Sequence, residues 1–351
     1  MTPLYYALHS GNLYGTERMA LATLLALRED YAPHLFAPEG PVFAEAKRLG
    51  IPAEPFAGSL DFARRLNRHV AAAPPFAFVA TGVAHSLACI AVAARHRRAH
   101  THLHLVHGGT DERLSYGRKR LLNRTAVRFV AVSHFVRGRL LAHGVAESKV
   151  SVIENFLPQA AVAAAPRRGA FAAGGIRRIA IVSRIDPIKR VDLVLDALAC
   201  EPSLAALAID VYGTGSDFDA LRARAEHHHP NVNFRGFVAD IPGMLARSDL
   251  LVHLCPEEPF GLAVIEAMAA GIPVLVPDRG GAGSLVRDGV DGFRFRANDA
   301  GALAARLQGL ASAPAAILNA TVTEARRTLA SRFGEGARIA DYRRLLASQA
   351  P

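Results

Sequence analysis

Short apolar runs of four to six residues alternate with longer stretches of helical spacing along most of this chain. In the first half, residues 4–8, 34–36, 76–80, 102–107, 128–132 and 150–153 predict strands. Met19, Leu24 and Leu27 fall near helical spacing and predict a helix over 17–28. The second half repeats the pattern, with strands expected at 178–182, 208–212, 232–234, 250–254 and 273–277. Helices are expected at 191–198, 218–226, 299–310, 317–329 and 335–346. Regular alternation of this kind predicts an α/β fold with mostly parallel, doubly wound sheets, which hold ligands at the carboxyl ends of their strands. Between the halves the chain turns into A-A-V-A-A-A-P-R-R-G-A-F-A-A-G-G, which reads as a linker. The expected domains are 1–160 and 177–330, joined by 161–176.

Candidate chemistry concentrates after the expected strand ends. The stretch C-P-E-E-P-F-G-L-A-V-I-E-A-M-A-A-G over 255–271 reads as strand end, tight loop and helix. Glu258 falls on the loop and Glu266 about two turns further along, at roughly 3.6 residues per turn. The N–H groups of Gly261 and Leu262 fall near the helix start, where an anion is favoured. Taken alone, the two glutamates read more simply as a helix cap and a solvated face. The loop S-R-I-D-P-I-K carries Arg184 and Lys189 after the strand at 178–182, a planar fork and a mobile point charge suited to a diphosphate. Phe237 and Val238 follow another strand end, where a base could stack. In the first half, Gly15 sits in a glycine-bearing turn before a helix, and His107-Gly108-Gly109 ends a strand. Asp217-Phe218-Asp219 has the look of a metal-binding pair, but its place at a helix start favours a dipole role. No metal site is assigned. His227-His228-His229 reads as a surface feature.

Composition narrows the classes. The 351 residues carry a formal net charge of +10. The excess lies in residues 1–165, with 19 Lys+Arg against 11 Asp+Glu, while 166–351 hold 22 against 20. Arg95, His96, Arg97, Arg98 and His100 form one basic cluster. Arg118, Lys119, Arg120, Arg124 and Arg128 around Leu121 and Leu122 form another, which as an amphipathic helix would suit an anionic membrane surface. A solvated face is the plain alternative. No aromatic interleaving or binding motif points to nucleic acid. Three scattered cysteines, Cys89, Cys200 and Cys255, argue against a disulfide framework and fit a reducing cytoplasm. No run reaches the ~20 apolar residues of a membrane span, and the N-terminus has no basic n-region or cleavage site.

With these residues in place, the second half resembles the donor domain of retaining glycosyltransferases of the GT-B fold, family 4. The matching segments, in order, are S-R-I-D-P-I-K-R, V-Y-G-T-G-S, V-N-F-R-G-F-V, E-P-F-G-L-A-V-I-E-A-M-A-A-G-I-P-V and G-G-A-G-S-L-V-R-D-G-V-D-G-F. The match is close over 178–295 and looser in the first half, where the Gly15 loop, His107-Gly108 and V-I-E-N-F carry it. The resemblance implies two Rossmann-like domains facing across a cleft, with a last segment, 331–351, returning to the N-terminal acceptor-side domain. By the same resemblance, Arg184 and Lys189 hold the donor diphosphate and Glu266 the ribose. Glu258 binds the transferred sugar, Gly261 and Leu262 offer N–H groups, and Phe237 and Val238 border the base. His107 and Gly15 face the donor from the other domain. The implied reaction moves a sugar from a UDP- or GDP-sugar to a hydroxyl of a glycan or lipid-linked acceptor. It keeps the anomeric configuration and uses no cofactor or catalytic metal, and the departing phosphate takes the acceptor's proton. Cell-surface polysaccharide, lipopolysaccharide or glycolipid synthesis on the inner face of the cytoplasmic membrane is the expected setting. Ser183, Phe156 and Ser284 depart from the family's usual residues. The alternatives are a non-catalytic basic protein of this shape and a nucleotide-sugar epimerase.

Overall fold

The computed structural model describes residues 1–109 and 112–347, and its chain divides into two compact units. Unit 1 comprises Met1–Phe156 and the segment from Glu335 onward; unit 2 is Leu157–Gly334. Each unit is built on one parallel sheet.

In unit 1 the strands are β1 (Thr2–Ala7), β2 (Tyr31–Ala37), β3 (Ala53–Pro55), β4 (Phe76–Ala80), β5 (His100–Val106), β6 (Arg128–Ala131) and β7 (Val150–Val152). They order as β3-β2-β1-β4-β5-β6-β7. Every residue of β4 is buried, as expected of a central parallel strand covered on both faces. The helix Gly58–Ala71 seats Phe62, Leu66 and Val70, one per turn, on Tyr5, Phe36 and Phe78.

In unit 2 the strands are β8 (Arg178–Val182), β9 (Ala208–Tyr212), β10 (Val232–Gly236), β11 (Leu250–Val252), β12 (Val274–Pro277) and β13 (Phe293–Phe295). Their order is β10-β9-β8-β11-β12-β13. Its core gathers Ile179, Ile181, Val211, Leu250, Val252 and Leu275 from the sheet with Leu193, Val194, Leu195, Leu303 and Leu307 from covering helices. Helix Leu262–Ala270 is buried over most of its length and stops at Gly271, whose φ of 75° suits a residue without a Cβ.

Several expectations change. The short edge strands β3 and β13 were not foreseen. The basic run around Lys119 is a six-residue 3-10 turn, Gly117–Leu122, rather than an amphipathic α-helix. Lys119 itself is buried and donates to the Leu114 carbonyl at 3.0 Å, and Arg128 begins β6. The second basic cluster is a helix end and a turn, with Arg97 in the left-handed region at φ 49° and His96 bonded to Asn67. The stretch read as a linker clusters with unit 2. It carries a short helix, Gln159–Ala164, and Phe171 is buried, with its N–H donating to Asn319 at 2.8 Å. Among the described residues, no helix is long and apolar enough to cross a membrane.

Candidate functional site

The strand order of unit 2 reverses between β8 and β11: later strands go to one side of β8 through β9 and β10, and to the other from β11 to β13. A crevice forms at such a point, outside the carboxyl ends. Two loops leave there. One follows β8 and ends in the 3-10 turn Pro187–Lys189; the other follows β11 and leads into helix Leu262–Ala270.

Lys189 and Glu258 meet from these two loops. Lys189 Nζ donates to Glu258 Oε2 at 2.7 Å, with the side chains only 15% and 17% exposed. Burial alone would raise Glu258's pKa, but the Lys189 ammonium outweighs it and holds the carboxyl below the usual range. Burial likewise opposes the Lys189 charge, and Glu258 overcomes it, leaving the ammonium above its ordinary value. Both are ionised at neutral pH. The pair is a buried charge couple that a substrate can exploit, since an ammonium has three donors and Glu258 occupies one.

His253 stands behind the carboxylate, its Nε2 3.5 Å from Glu258 Oε2. It is buried, and burial pushes its pKa down to about 4, so the imidazole is neutral. Its Nε2 makes no hydrogen bond. Cys255 is buried too; burial lifts its thiol to about 11, and its Sγ contacts the Ile188 carbonyl at 3.2 Å. It is a packing residue of the same loop pair, not a thiolate nucleophile. Arg184 points a half-exposed guanidinium at Asp186, 2.8 Å away, a surface pair that a bound anion can reorganise.

Glycines hold these loops in place. A Cβ on Gly281 would lie 2.1 Å from the Pro259 carbonyl oxygen, and one on Gly280 would lie 2.5 Å from that of Pro256. The Gly281 N–H donates to the Glu258 carbonyl at 2.6 Å. Helix Gly280–Ser284 therefore abuts the loop bearing Glu258 directly. On the other side, Gly213 has φ 131°, and a Cβ there would lie 1.8 Å from Ser183 O. The Ile185 N–H donates to Thr214 O at 2.9 Å, tying the loops after β8 and β9 together.

Gly261, at φ 102°, caps helix Leu262–Ala270, whose first N–H groups point out of its start. Glu266 lies on the same helix, half-buried. A register shift beside Gly236 re-aims the end of β10, and Phe237 emerges 77% exposed, followed by half-buried Val238. Asp217 and Asp219 lie at the start of helix Phe218–His228, where Asp219 pairs with Arg222 at 3.1 Å. A cavity of about 530 Å³ beside Arg294, Arg306, Asp278 and Asp288 does not include Lys189 or Glu258. Chemistry rather than volume marks the site.

Unit 1 has its own reversal, between β1 and β4. His9 and Thr81, beyond the ends of those strands, join across it, with His9 Nδ1 2.8 Å from Thr81 Oγ1. His107 follows β5. Its Nε2 is buried without a hydrogen-bond partner, and burial pushes its pKa down to about 3. Gly15 is the first residue of helix Gly15–Ala26. The glycine this turn cannot replace is Gly11, whose Cβ would lie 2.1 Å from Pro38 O. Neither His253, Asp186, His9 nor Thr81 stood out in the sequence. Asp186 lay inside the quoted S-R-I-D-P-I-K loop and His253 two residues before Cys255, so proximity to the motifs was the available signal.

The family described as Glycosyl transferases group 1 matches residues 169–328, and Glycosyltransferase Family 4 matches 14–159. Among curated proteins, the chain is similar to a D-inositol 3-phosphate glycosyltransferase of Mycobacterium marinum, 32% identical over 178 residues. That match covers 48% of this chain and 38% of the relative. It is also similar to a GDP-mannose-dependent alpha-mannosyltransferase of Mycobacterium tuberculosis, 31% identical over 173 residues, covering 48% of this chain and 43% of the relative. The matched stretch thus spans less than half the length of either. In fold, it resembles Anabaena Alr3699/HepE, solved in complex with UDP-glucose. The TM-score is 0.83 at 21% identity, over 99% of this chain and 100% of the other. The two sheets thereby share the GT-B fold.

Proposed function

The chain belongs to glycosyltransferase family 4, and from that premise we propose that it moves a sugar from a nucleotide diphosphate sugar to an acceptor hydroxyl with retention of configuration. The observation that carries this is the buried Lys189–Glu258 pair at the strand-order reversal, beside the start of helix Leu262–Ala270. Lys189 and Arg184 hold the donor diphosphate. As the anomeric carbon–oxygen bond breaks, negative charge gathers on the leaving phosphate, and these cations stabilise it where it develops. The acceptor oxygen bonds to the anomeric carbon, and its proton passes to the departing diphosphate. No protein nucleophile or metal enters the step.

Glu258 accepts hydrogen bonds from hydroxyls of the transferred sugar, kept in place by Lys189 on one side and neutral His253 behind. The N–H groups of Gly261 and Leu262 add donors to the anion. Glu266 takes the ribose, and Phe237 and Val238 border the base. Within unit 1 itself, the neutral His107 imidazole can bond a sugar hydroxyl, and Gly15 opens helix Gly15–Ala26. UDP- and GDP-sugars are the donors we favour. The acceptor is a glycan or lipid-linked sugar of the cell surface, and the setting is the cytoplasm, at the inner face of its membrane.

The experiment is a screen of the purified chain against UDP-, GDP- and ADP-sugars by thermal shift, since ligand binding to the folded state raises its stability. Donors that bind are then assayed with acceptor panels, and the product's anomeric configuration is read by NMR. A donor that raises the unfolding midpoint of the wild type, but not of Lys189→Met, is the expected result. Binding of no nucleotide sugar, or an inverted product, would sink the proposal.

A further inference from the structure

The strongest unassigned chemistry lies in unit 1, beside edge strand β3. His34 sits in β2, Glu54 in edge strand β3 and His69 near the end of helix Gly58–Ala71. That helix end lies toward the amino ends of the strands, because a covering helix runs antiparallel to them. His69 Nε2 is 2.9 Å from Glu54 Oε2, and His34 Nε2 is 3.9 Å from the same oxygen. The two rings lie 4.5 Å apart. All three donor atoms fall within 4.8 Å of one another.

We propose that His34, His69 and Glu54 bind a borderline divalent transition-metal ion, Zn²⁺ or Co²⁺ by chemistry, as a clamp on edge strand β3. Metal–ligand bonds of about 2.0–2.1 Å put neighbouring donors in a tetrahedron about 3.3 Å apart. The observed 2.9 and 3.9 Å bracket that spacing. Two imidazoles with one carboxylate suit Zn²⁺, Co²⁺ or Ni²⁺, whereas Mg²⁺ and Ca²⁺ favour oxygen alone.

Three features of the surroundings fit a ligand set. His34 Nε2 is buried without a hydrogen-bond partner, a polar atom that an ion would satisfy. The His34 ring packs between Phe36 and His69, with ring centres 4.7 and 4.5 Å away, which fixes its orientation. Arg65 and Arg68 both hold the other oxygen of Glu54, at 2.7 and 2.9 Å, which orients Oε2 toward the imidazoles. Arg65 is shared with Asp61 at 2.8 Å, so two acids offset the two arginines before any ion arrives. Cation binding joins β2, β3 and the helix through one centre.

The test titrates Zn²⁺ and Co²⁺ into EDTA-treated, dialysed full-length protein. It follows unfolding midpoints, competition with a chromophoric chelator and the visible d–d bands of Co²⁺. One site per chain is expected, with a raised midpoint and nitrogen–oxygen d–d bands. His69→Asn and His34→Asn, each checked for folding by circular dichroism, should weaken binding by about tenfold or more. Replacing His227, His228 and His229 together by Ala should leave it unchanged. Loss of binding in that triple variant, or its survival in both single variants, overturns the proposal. A thiolate charge-transfer band also overturns it, by placing the ion at Cys89, His100 and His102, which cluster within the same reach. Absence of any binding in the wild type does so outright.

Discussion

Both units wind a parallel sheet around one strand-order reversal, yet they spend their ionisable groups in opposite ways. Unit 2 gathers charge at a strand-end crevice, where Lys189 and Glu258 keep each other ionised in a buried setting. Unit 1 buries neutral bases. Burial pushes His34 and His85 down to about 4, His102 and His107 to about 3, and His104 well below its ordinary value. Ser86 bridges two of them, with His104 Nδ1 at 2.8 Å and His102 Nε2 at 3.0 Å. A charge pair resists protonation; a buried imidazole invites unfolding when protons become plentiful. The same architecture therefore carries two different acid sensitivities.

The largest expected effect tests that contrast directly. A histidine whose pKa is lowered by folding binds its proton more readily when unfolded, so its contribution is intact above about 6.5 and is lost as pH falls below that. Each such histidine costs about 1.4 kcal/mol per pH unit in that window. Five together reach on the order of 7 kcal/mol per pH unit, comparable to a domain's whole stability. Unit 2 has one such deeply shifted residue, His253, and its Glu258 contribution is lost only as pH falls through a value below 4.5. Unit 1 should thus unfold at the higher pH. The chain has no Trp, and six of its seven Tyr, all but Tyr212, lie in unit 1. Tyrosine near-UV circular dichroism in EDTA should report a transition between pH 6.5 and 4, with hydrogen exchange showing unit 2 still protected. Simultaneous loss of both units would break the comparison.

Next is the pair itself. Glu258→Gln or Lys189→Met alone should lower transfer by about 10²-fold or more and destabilise unit 2 by about 3–5 kcal/mol, because each leaves a buried charge unpaired. The double variant should recover most of the stability while remaining inactive. That split separates a site charge from a merely structural one; stability lost additively would argue against coupling through the 2.7 Å contact.

Smaller effects come from glycine. Gly281→Ala places a Cβ against Pro259 O and should cost about 1–3 kcal/mol in unit 2, with weaker donor binding. Gly138→Ala in unit 1 lies inside helix His134–Ala142 with open space around it and should stabilise by about 0.5–1 kcal/mol. Urea midpoints with unchanged slopes would verify both signs.

How much of this was legible in the chain follows the same division. The strands 76–80, 178–182 and 208–212 appear residue for residue as read, because short, mostly apolar runs bounded by turn signals leave little choice. The edge strands β3 and β13 escaped, since A-E-P and F-R-F are three residues long and stabilised by neighbours rather than by their own pattern. Arg184, Lys189, Glu258 and Glu266 could be placed after strand ends or on the following helix from local spacing. That Lys189 touches Glu258 depends on β8 lying beside β11, a pairing across about seventy residues that spacing does not encode. Unit 1's chemistry was less visible still. His34, Glu54 and His69 come from two strands and a helix, and fifteen scattered histidines look alike until the sheet puts three groups together.

The smallest effect sharpens the comparison most cleanly, because it separates binding from folding. Phe237 is 77% exposed beyond the bulged end of β10, so its ring adds little to the core. Phe237→Ala should change stability by no more than about 0.5 kcal/mol. If the ring borders the donor's base, its loss removes a stacking surface of about 0.5–1.5 kcal/mol, a several-fold weaker donor affinity with turnover at saturation nearly unchanged. Calorimetric titration of wild type and variant with the nucleoside diphosphate alone reads this directly. Equal affinities would remove Phe237 from the base site while leaving the proposal for Lys189 and Glu258 untouched, since that proposal concerns the diphosphate and the sugar rather than the base.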